Sequence, residues 1–251
     1  KKSTFTFIDL FAGIGGIRIA FENQNGKCVF SSEYDRFSQL TYKAFFGESP
    51  DFSNVIYVDP PGDITKIPPN LIPDHDVLVG GFPCQPFSLA GVSKKNSLGR
   101  PHGFDDPTQG TLFFNIKEII KTKQPKAFLL ENVKNLEKHD KGKTFKVILQ
   151  TLEDLNYNFF YKIIDASYWV PQHRERIYIV GFRNTPDQNW NISDFEEFKN
   201  IELPKKRLMS LDKILEKEIP AKYVLTLKTW ATLVRHKAHH LERGNGFGYS
   251  I

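Results

Sequence analysis

Apolar residues along this chain fall into short unbroken runs, separated by stretches in which they recur every three or four positions. Phe5 to Leu10 is the first run and reads as a buried strand. It passes directly into Phe11-Ala12-Gly13-Ile14-Gly15-Gly16, after which Ile17 and Phe21 recur at helical spacing. Cys28 to Ser32, Val77 to Val79, Ala127 to Leu130, Phe159 to Ile164 and Ile177 to Val180 read as further strands. Helical spacing predicts Asp35 to Phe46, with Phe37, Leu40, Thr41 and Ala44 on one side. A second helix carries Phe113, Ile116, Ile119 and Ile120 and ends at Gln124-Pro125, and a third carries Phe145, Ile148, Leu149, Leu152 and Leu155. Asp51 to Ile72 reads as loop, broken at Pro60-Pro61-Gly62 and Pro68-Pro69. This alternation up to Phe182 predicts an open, mostly parallel α/β sheet, whose ligands bind at the C-terminal ends of its strands.

Beyond Arg183 the composition turns polar and charged, with Pro186, Pro204 and Pro220 as breaks and little periodicity. A domain boundary is expected there, giving 1–182 and 183–251. From Arg235 to Tyr249, Arg235, Lys237 and Arg243 accompany a glycine loop bearing Phe247 and Tyr249. Basic groups beside aromatic rings suit contact with nucleic acid. His236, His239 and His240 have no nearby cysteine or further ligand, so no metal is expected.

Composition narrows the classes. With 251 residues, 40% hydrophobic and 25% charged, the chain can bury one sizeable core. Two cysteines, Cys28 and Cys84, cannot make a disulfide framework, and no apolar segment has the length of a membrane span, so a cytoplasmic protein is expected. A net charge of +5 suits a polyanionic partner without requiring one.

Candidate chemistry gathers where the runs end. The run Val77 to Val79 breaks at Gly80-Gly81, and Phe82-Pro83-Cys84-Gln85-Pro86-Phe87-Ser88 then holds a cysteine between two prolines. Proline on each side limits backbone freedom and presents the thiol as a nucleophile. The glycine turn after the first strand lets a ligand approach a helix N-terminus, although its spacing is not that of the dinucleotide fingerprint. Glu33 follows Gly13 by twenty residues at the tip of the second strand, where a carboxylate can take both hydroxyls of a ribose. Gly62-Asp63-Ile64 pairs a carboxylate with an apolar side chain, as an adenine ring requires, but is also an ordinary turn. Glu131-Asn132-Val133 puts a carboxylate among apolar residues at a strand end, suited to acid catalysis or to local pairing. In Pro171-Gln172-His173-Arg174-Glu175-Arg176, two arginines flank the last strand and can bind phosphate, hold a carbonyl or face solvent.

In this order and at these spacings the motifs resemble the bacterial DNA cytosine-C5 methyltransferase family. The match runs from Asp9-Leu10-Phe11-Ala12-Gly13-x-Gly15-Gly16 to Gln172-His173-Arg174-Glu175-Arg176 and covers Phe5 to Phe182 almost continuously. Ser93 to Arg100 and Arg243 to Tyr249 look closest to the subgroup that methylates the inner cytosine of CCWGG. The resemblance implies a Rossmann-like methyltransferase fold: a mixed, mostly parallel sheet with helices on both faces, followed by the start of a smaller target-recognition region. It implies methyl transfer from S-adenosylmethionine, giving S-adenosylhomocysteine, to C5 of a flipped-out cytosine in double-stranded DNA.

The resemblance makes Cys84 the nucleophile on C6. Glu131 becomes the group on N3 and the exocyclic amine, with Arg176 and Arg174 fixing the base and Glu131. For the cofactor it implies Phe11 on the adenine, the turn Gly13, Ile14, Gly15 and Gly16 near the methionine moiety, and Glu33 with Tyr34 at the ribose. Asp63 and Ile64 meet the adenine, and Phe82, Pro83 and Leu112 complete the pocket; no metal is required. Gln85, Ser88, Lys94, Lys95, Arg100, Arg243 and Asn245 are the expected DNA contacts, with 85–108 as a lid.

The family continues past target recognition into segments that pack back on the sheet and complete the cofactor pocket. A C-terminally incomplete chain, or one polypeptide of a split enzyme completed by a second, is therefore expected, with a monomeric catalytic unit acting at the bacterial nucleoid. Three rivals are a transfer-RNA cytosine methyltransferase, a non-catalytic DNA-binding subunit and a thiol redox protein. The first typically carries Pro-Pro-Cys where this chain has Phe82-Pro83-Cys84, and also a Cys-Phe-Thr segment absent here. The second usually loses the nucleophile, and the third lacks its C-x-x-C motif here.

Overall fold

The computed structural model describes residues 4–83, 112–184, 200, 203–204 and 209–245. Contacts divide the chain into two compact units, Lys1–Asp165 with Glu175–Glu202, and Ala166–Arg174 with Leu203–Ile251.

The first unit is built on one six-stranded sheet. Its strands are β1 (Phe5–Leu10), β2 (Gly26–Ser32), β3 (Val77–Gly81), β4 (Ala127–Val133), β5 (Tyr157–Asp165) and β6 (Glu175–Arg183), in the order β2-β1-β3-β4-β6-β5. β2, β1, β3 and β4 pair in parallel, and β6 runs antiparallel to both β4 and β5. The fold is therefore the Rossmann-like α/β sheet, with one reversed strand near its edge. Helices α1 (Gly16–Asn23), α2 (Arg36–Phe46), α3 (Leu112–Lys123) and α4 (Lys143–Asp154) connect the strands.

Alternation along β1 shows how both faces are covered. Ile8 and Leu10 join a core cluster with Leu78, Phe128, Ile116, Ile120, Ile148 and Leu152, so α3 and α4 close that face. Phe7 points to the other face and meets Phe21 of α1, ring centroids 5.4 Å apart. Burying each such side chain contributes about 1.5–3 kcal/mol.

Three expectations are corrected by this fold. Gly80 and Gly81 do not break the third run; they lie within β3, paired with Leu130 and Glu131 of β4. The exposed face of α2 is the one expected to be buried: Phe37 is 76% and Leu40 56% exposed, and Thr41 and Ala44 also face solvent. Tyr42 is fully buried instead, because its hydroxyl accepts a hydrogen bond from the buried Arg18 of α1. Finally, not every candidate group stands at a strand's C-terminal end. Arg176 lies at the start of β6, and the reversal of that strand sets it opposite Val133 at the end of β4.

The second unit holds a helix that was not expected, α5 (Leu227–Glu242). Thr226 caps it by accepting from the Thr229 backbone N–H at 3.2 Å. Leu227, Trp230, Ala231, Val234, Ala238 and Leu241 recur along it at helical spacing, yet none of its residues is buried and Leu227 is 88% exposed. Arg235, His236, Lys237, His239 and His240 lie on this helix rather than in a loop.

Candidate active site

One edge of the sheet collects the ends of β1, β2, β3 and β4 and the start of β6. After β1 the chain turns through Phe11, whose φ of 55° is rare for an aromatic residue, and Gly13 and Gly15 continue the left-handed turn into α1. At the end of β2, Glu33 closes on this turn. Its Oε2 accepts from the Gly13 backbone N–H at 2.7 Å, and its Oε1 accepts from the Asp35 N–H at 2.7 Å. A carboxylate offers about four acceptor positions, so both oxygens can still receive hydroxyl donors.

The turn at Gly62-Asp63-Ile64 lies against the same glutamate. A Cβ on Gly62, whose φ is +81°, would come within 1.9 Å of the Glu33 carbonyl oxygen. Ser32 donates through Oγ to the Gly62 carbonyl at 3.0 Å, and Gln39 Nε2 donates to the Glu33 carbonyl at 2.6 Å and the Pro61 carbonyl at 3.1 Å. Asp63 uses one carboxylate oxygen on its own turn, accepting from the Thr65 N–H at 3.0 Å and the Thr65 hydroxyl at 2.7 Å. Ile64 is packed in the core at 4% exposure. Ile14 and Tyr34 are 62% and 64% exposed.

β3 and β4 present the second half of the site. Gly81 pairs with Glu131, and a Cβ on Gly81 would stand 3.3 Å from Glu131 Oε2, so the missing side chain leaves that oxygen room. Glu131 Oε1 is ion-paired with Arg176 Nε at 2.9 Å, and Arg176 Nη1 donates to the Glu175 carbonyl at 2.8 Å. The pair is about one-fifth exposed on each side chain. Lys134 is ion-paired with Glu175 beside it. Past Gly81 the ladder ends, and Asn132, 2% exposed, replaces the next rung by donating from Nδ2 to the Phe82 carbonyl at 2.9 Å. Phe82 is buried against Phe113, Pro83 is exposed, and Leu112 is partly buried against the core.

The structure thus brings together Gly13, Glu33, Asp63 and Ile64, and separately Gly81, Glu131 and Arg176. Arg174, Arg243 and Asn245 belong to the second unit and are exposed. Cys84, Gln85, Ser88, Lys94, Lys95 and Arg100, with the whole of the expected lid 85–108, lie outside the described residues.

Sequence reasoning gave no role to Asp9, Arg18, Gln39 or Asn132. Asp9 and Asn132 carried a signal, a polar side chain inside an apolar strand run. Asp9 is wholly buried, and neither carboxylate oxygen has a hydrogen-bond partner among the described residues. Burial, with Glu33 and Glu22 adding to it against Arg18, pushes this carboxyl up to about 7.

The family model for C-5 cytosine-specific DNA methylases matches residues 5–251. The chain belongs to the C-5 cytosine-specific DNA methylase family. Among its relatives, the DNA-cytosine methyltransferase of Escherichia coli K12 is 46% identical over 271 residues, covering 98% of this chain and 56% of the relative. The Type II methyltransferase M.HpaII of Haemophilus parainfluenzae is 48% identical over 255 residues, covering all of this chain and 64% of the relative. The chain thus spans 56–64% of the length of these curated relatives. Of solved structures, a mutant of Spodoptera frugiperda DNMT2 superposes with a TM-score of 0.64 at 21% identity, over 92% of this chain and 66% of that one. At that identity the likeness speaks for the fold. Among the described residues, no helix is long and apolar enough to cross a membrane.

Proposed function

We propose that the protein transfers a methyl group from S-adenosylmethionine to C5 of a cytosine flipped out of double-stranded DNA, in a restriction-modification or stand-alone methylation setting. Residues 1–182 are the catalytic and cofactor-binding part, and 183–251 belong to target recognition. The observation that carries this reading is the register Gly81↔Glu131, with Glu131 held by Arg176. It sets a paired carboxylate beside the strand that runs within three residues into Cys84.

The cofactor supplies an electrophilic methyl group. Its fit rests on Glu33, whose oxygens keep acceptor capacity for two ribose hydroxyls while Gly13 and Asp35 fix its orientation. The second oxygen of Asp63 would accept from the adenine amine, and Phe11, Ile14, Tyr34, Ile64 and Leu112 would line the rest. Cytosine C5 is a weak nucleophile. Cys84 thiolate would add to C6, and the displaced electron pair would make C5 an enamine carbon able to take a methyl group from the bound cofactor, with S-adenosylhomocysteine as the leaving group. Glu131 would bind N3 and the exocyclic amine and give N3 its proton as the thiolate adds, and Arg176 would hold the resulting carboxylate. Loss of the C5 proton to a base then expels Cys84 and leaves 5-methylcytosine. C6 is out of reach inside a duplex, so extrusion of the base costs a few kcal/mol.

Target choice follows the CCWGG subgroup. Incubation of the full-length gene product with cofactor and a CCWGG or scrambled duplex, read as 5-methylcytosine by bisulfite sequencing, tests the reading. Methylation of the inner cytosine is expected, abolished by Glu131→Ala. Transfer that survives Glu131→Ala at the wild-type rate overturns the role of Glu131, and methylation of RNA rather than DNA overturns the substrate.

A further inference from the structure

Arg18 is a charged side chain that neither the family chemistry nor the cofactor contacts above use, yet it is only 6% exposed. It leaves the first turn of α1 and enters the space between α1 and α2. Its Nε is ion-paired with Glu22 Oε1 at 2.7 Å, and its Nη1 donates to Tyr42 Oη at 2.9 Å and to Glu48 Oε2 at 3.1 Å. The guanidinium carbon also lies 4.3 Å from the centre of the Phe46 ring. Burial disfavours this charge, and the three hydrogen bonds more than offset it, so the guanidinium stays protonated.

What this knot presses on is the glycine turn. A Cβ on Gly15 would fall 2.2 Å from Phe46 Cε2 and 3.2 Å from Tyr42 Cδ2, so the Phe46 ring fills the space a side chain at residue 15 would take. Gly15 is the joint between turn and helix. It has φ +90°, its N–H closes on the Ala12 carbonyl at 2.8 Å, and its carbonyl accepts the Ile19 N–H at 3.0 Å. Two residues earlier, the Gly13 N–H is the donor that orients Glu33.

We propose that Arg18 is a positioning residue for the cofactor turn. By drawing Tyr42 and Glu48 together and stacking on Phe46, it seats the Phe46 ring on Gly15 and fixes the height of Gly13 beneath Glu33. The inference rests on the cofactor reading above. It also explains why α2 buries Tyr42, half-buries Phe46 and leaves Phe37 and Leu40 to solvent. Lysine cannot replace arginine here, since a single ammonium lacks the planar fork that reaches Glu22, Tyr42 and Glu48 while stacking on a ring.

The test compares the wild-type full-length gene product with its Arg18→Lys, Phe46→Leu and, as a control for stability alone, Leu152→Val variants, the last in distant α4. S-adenosylhomocysteine affinity is measured by calorimetry well below each variant's Tm, with the Gly13 and Gly15 amide resonances followed by NMR. Arg18→Lys and Phe46→Leu are expected to weaken binding about tenfold or more and to shift both glycine amides. Leu152→Val is expected to lower Tm and change neither. Wild-type affinity with unmoved glycine amides in both Arg18→Lys and Phe46→Leu overturns the inference alone. A wild-type full-length gene product that does not bind S-adenosylhomocysteine overturns the cofactor reading, and the inference with it. If Arg18→Lys does not fold, Phe46→Leu decides.

Discussion

Asp9 makes the fold's stability depend on pH in a direction opposite to that of most carboxylates. It sits in β1 between Ser31 of β2 and Val79 of β3, fully buried and with neither oxygen hydrogen-bonded among the described residues. Burial is the main cause that lifts it from 3.8 to about 7, with Glu33 and Glu22 adding and Arg18 opposing. At about 1.36 kcal/mol per tenfold change in proton affinity, the ionised form costs the folded state on the order of 4 kcal/mol. In the unfolded chain the same group ionises near its ordinary value. Between roughly pH 4 and 7 the folded state therefore binds the extra proton, and stability falls as pH rises. The penalty is absent below the unfolded value and complete above about pH 7.

Asp9→Asn keeps the shape and never ionises. The variant is expected to gain on wild type by about 4 kcal/mol between pH 4 and pH 8, whatever constant offset its unpaired amide hydrogens add. Urea unfolding followed by circular dichroism at pH 5, 6, 7 and 8 measures the difference, in which the other carboxylates cancel. A pH-independent difference, or a wild type that gains on the variant as pH rises, would show that Asp9 carries its charge in the folded protein and refute the reasoning.

Two further predictions follow from hydrogen bonds at the site. Glu33→Ala removes the carboxylate that orients the glycine turn and the expected ribose contact, so cofactor affinity should fall by about 1.5–3 kcal/mol for each hydroxyl bond to the charged group; unchanged affinity by calorimetry rejects that site. Asn132→Ala leaves the Phe82 carbonyl unpaired in a buried position and should lower unfolding stability by about 1–3 kcal/mol. Asn132→Asp, which turns an acceptor toward that carbonyl, should be no better. Chemical denaturation showing either variant as stable as wild type contradicts the tether.

How far the sequence was legible depends on which forces wrote each part. β1, β3, β4 and the cores of α3 and α4 were visible because burial on both sides demands apolar runs or a full apolar stripe. The direction of β6 was not visible: periodicity carries burial, not orientation, so the approach of Arg176 to Glu131 was implied only by the family resemblance until the pairing of β6 with β4 gave its geometry. α2 was read with the wrong face inward because its burial is set by Arg18, a polar partner more than twenty residues away. α5 was legible and missed: Leu227, Trp230, Ala231, Val234, Ala238 and Leu241 recur at helical spacing, although none of them is buried.

The candidate site divides in the same manner. Glu33 could be placed from its distance to Gly13, since a strand-turn-helix-strand unit has nearly fixed length. Its closeness to Gly62 is tertiary and appears only in the folded chain. Cys84 was marked by its flanking prolines and lies outside the described residues, so its role rests on sequence and on Gly81 and Glu131 beside it.

The central claim is covalent attack by Cys84, and a trapping measurement tests it most directly. Full-length gene product, S-adenosylmethionine and a duplex carrying 5-fluorocytosine at the target should give a protein–DNA adduct that survives denaturing electrophoresis, because fluorine cannot leave as a proton and Cys84 cannot be expelled. Cys84→Ala should give none while still binding the cofactor. An adduct of undiminished yield in Cys84→Ala, or methyl transfer by that variant at the wild-type rate, would contradict the account.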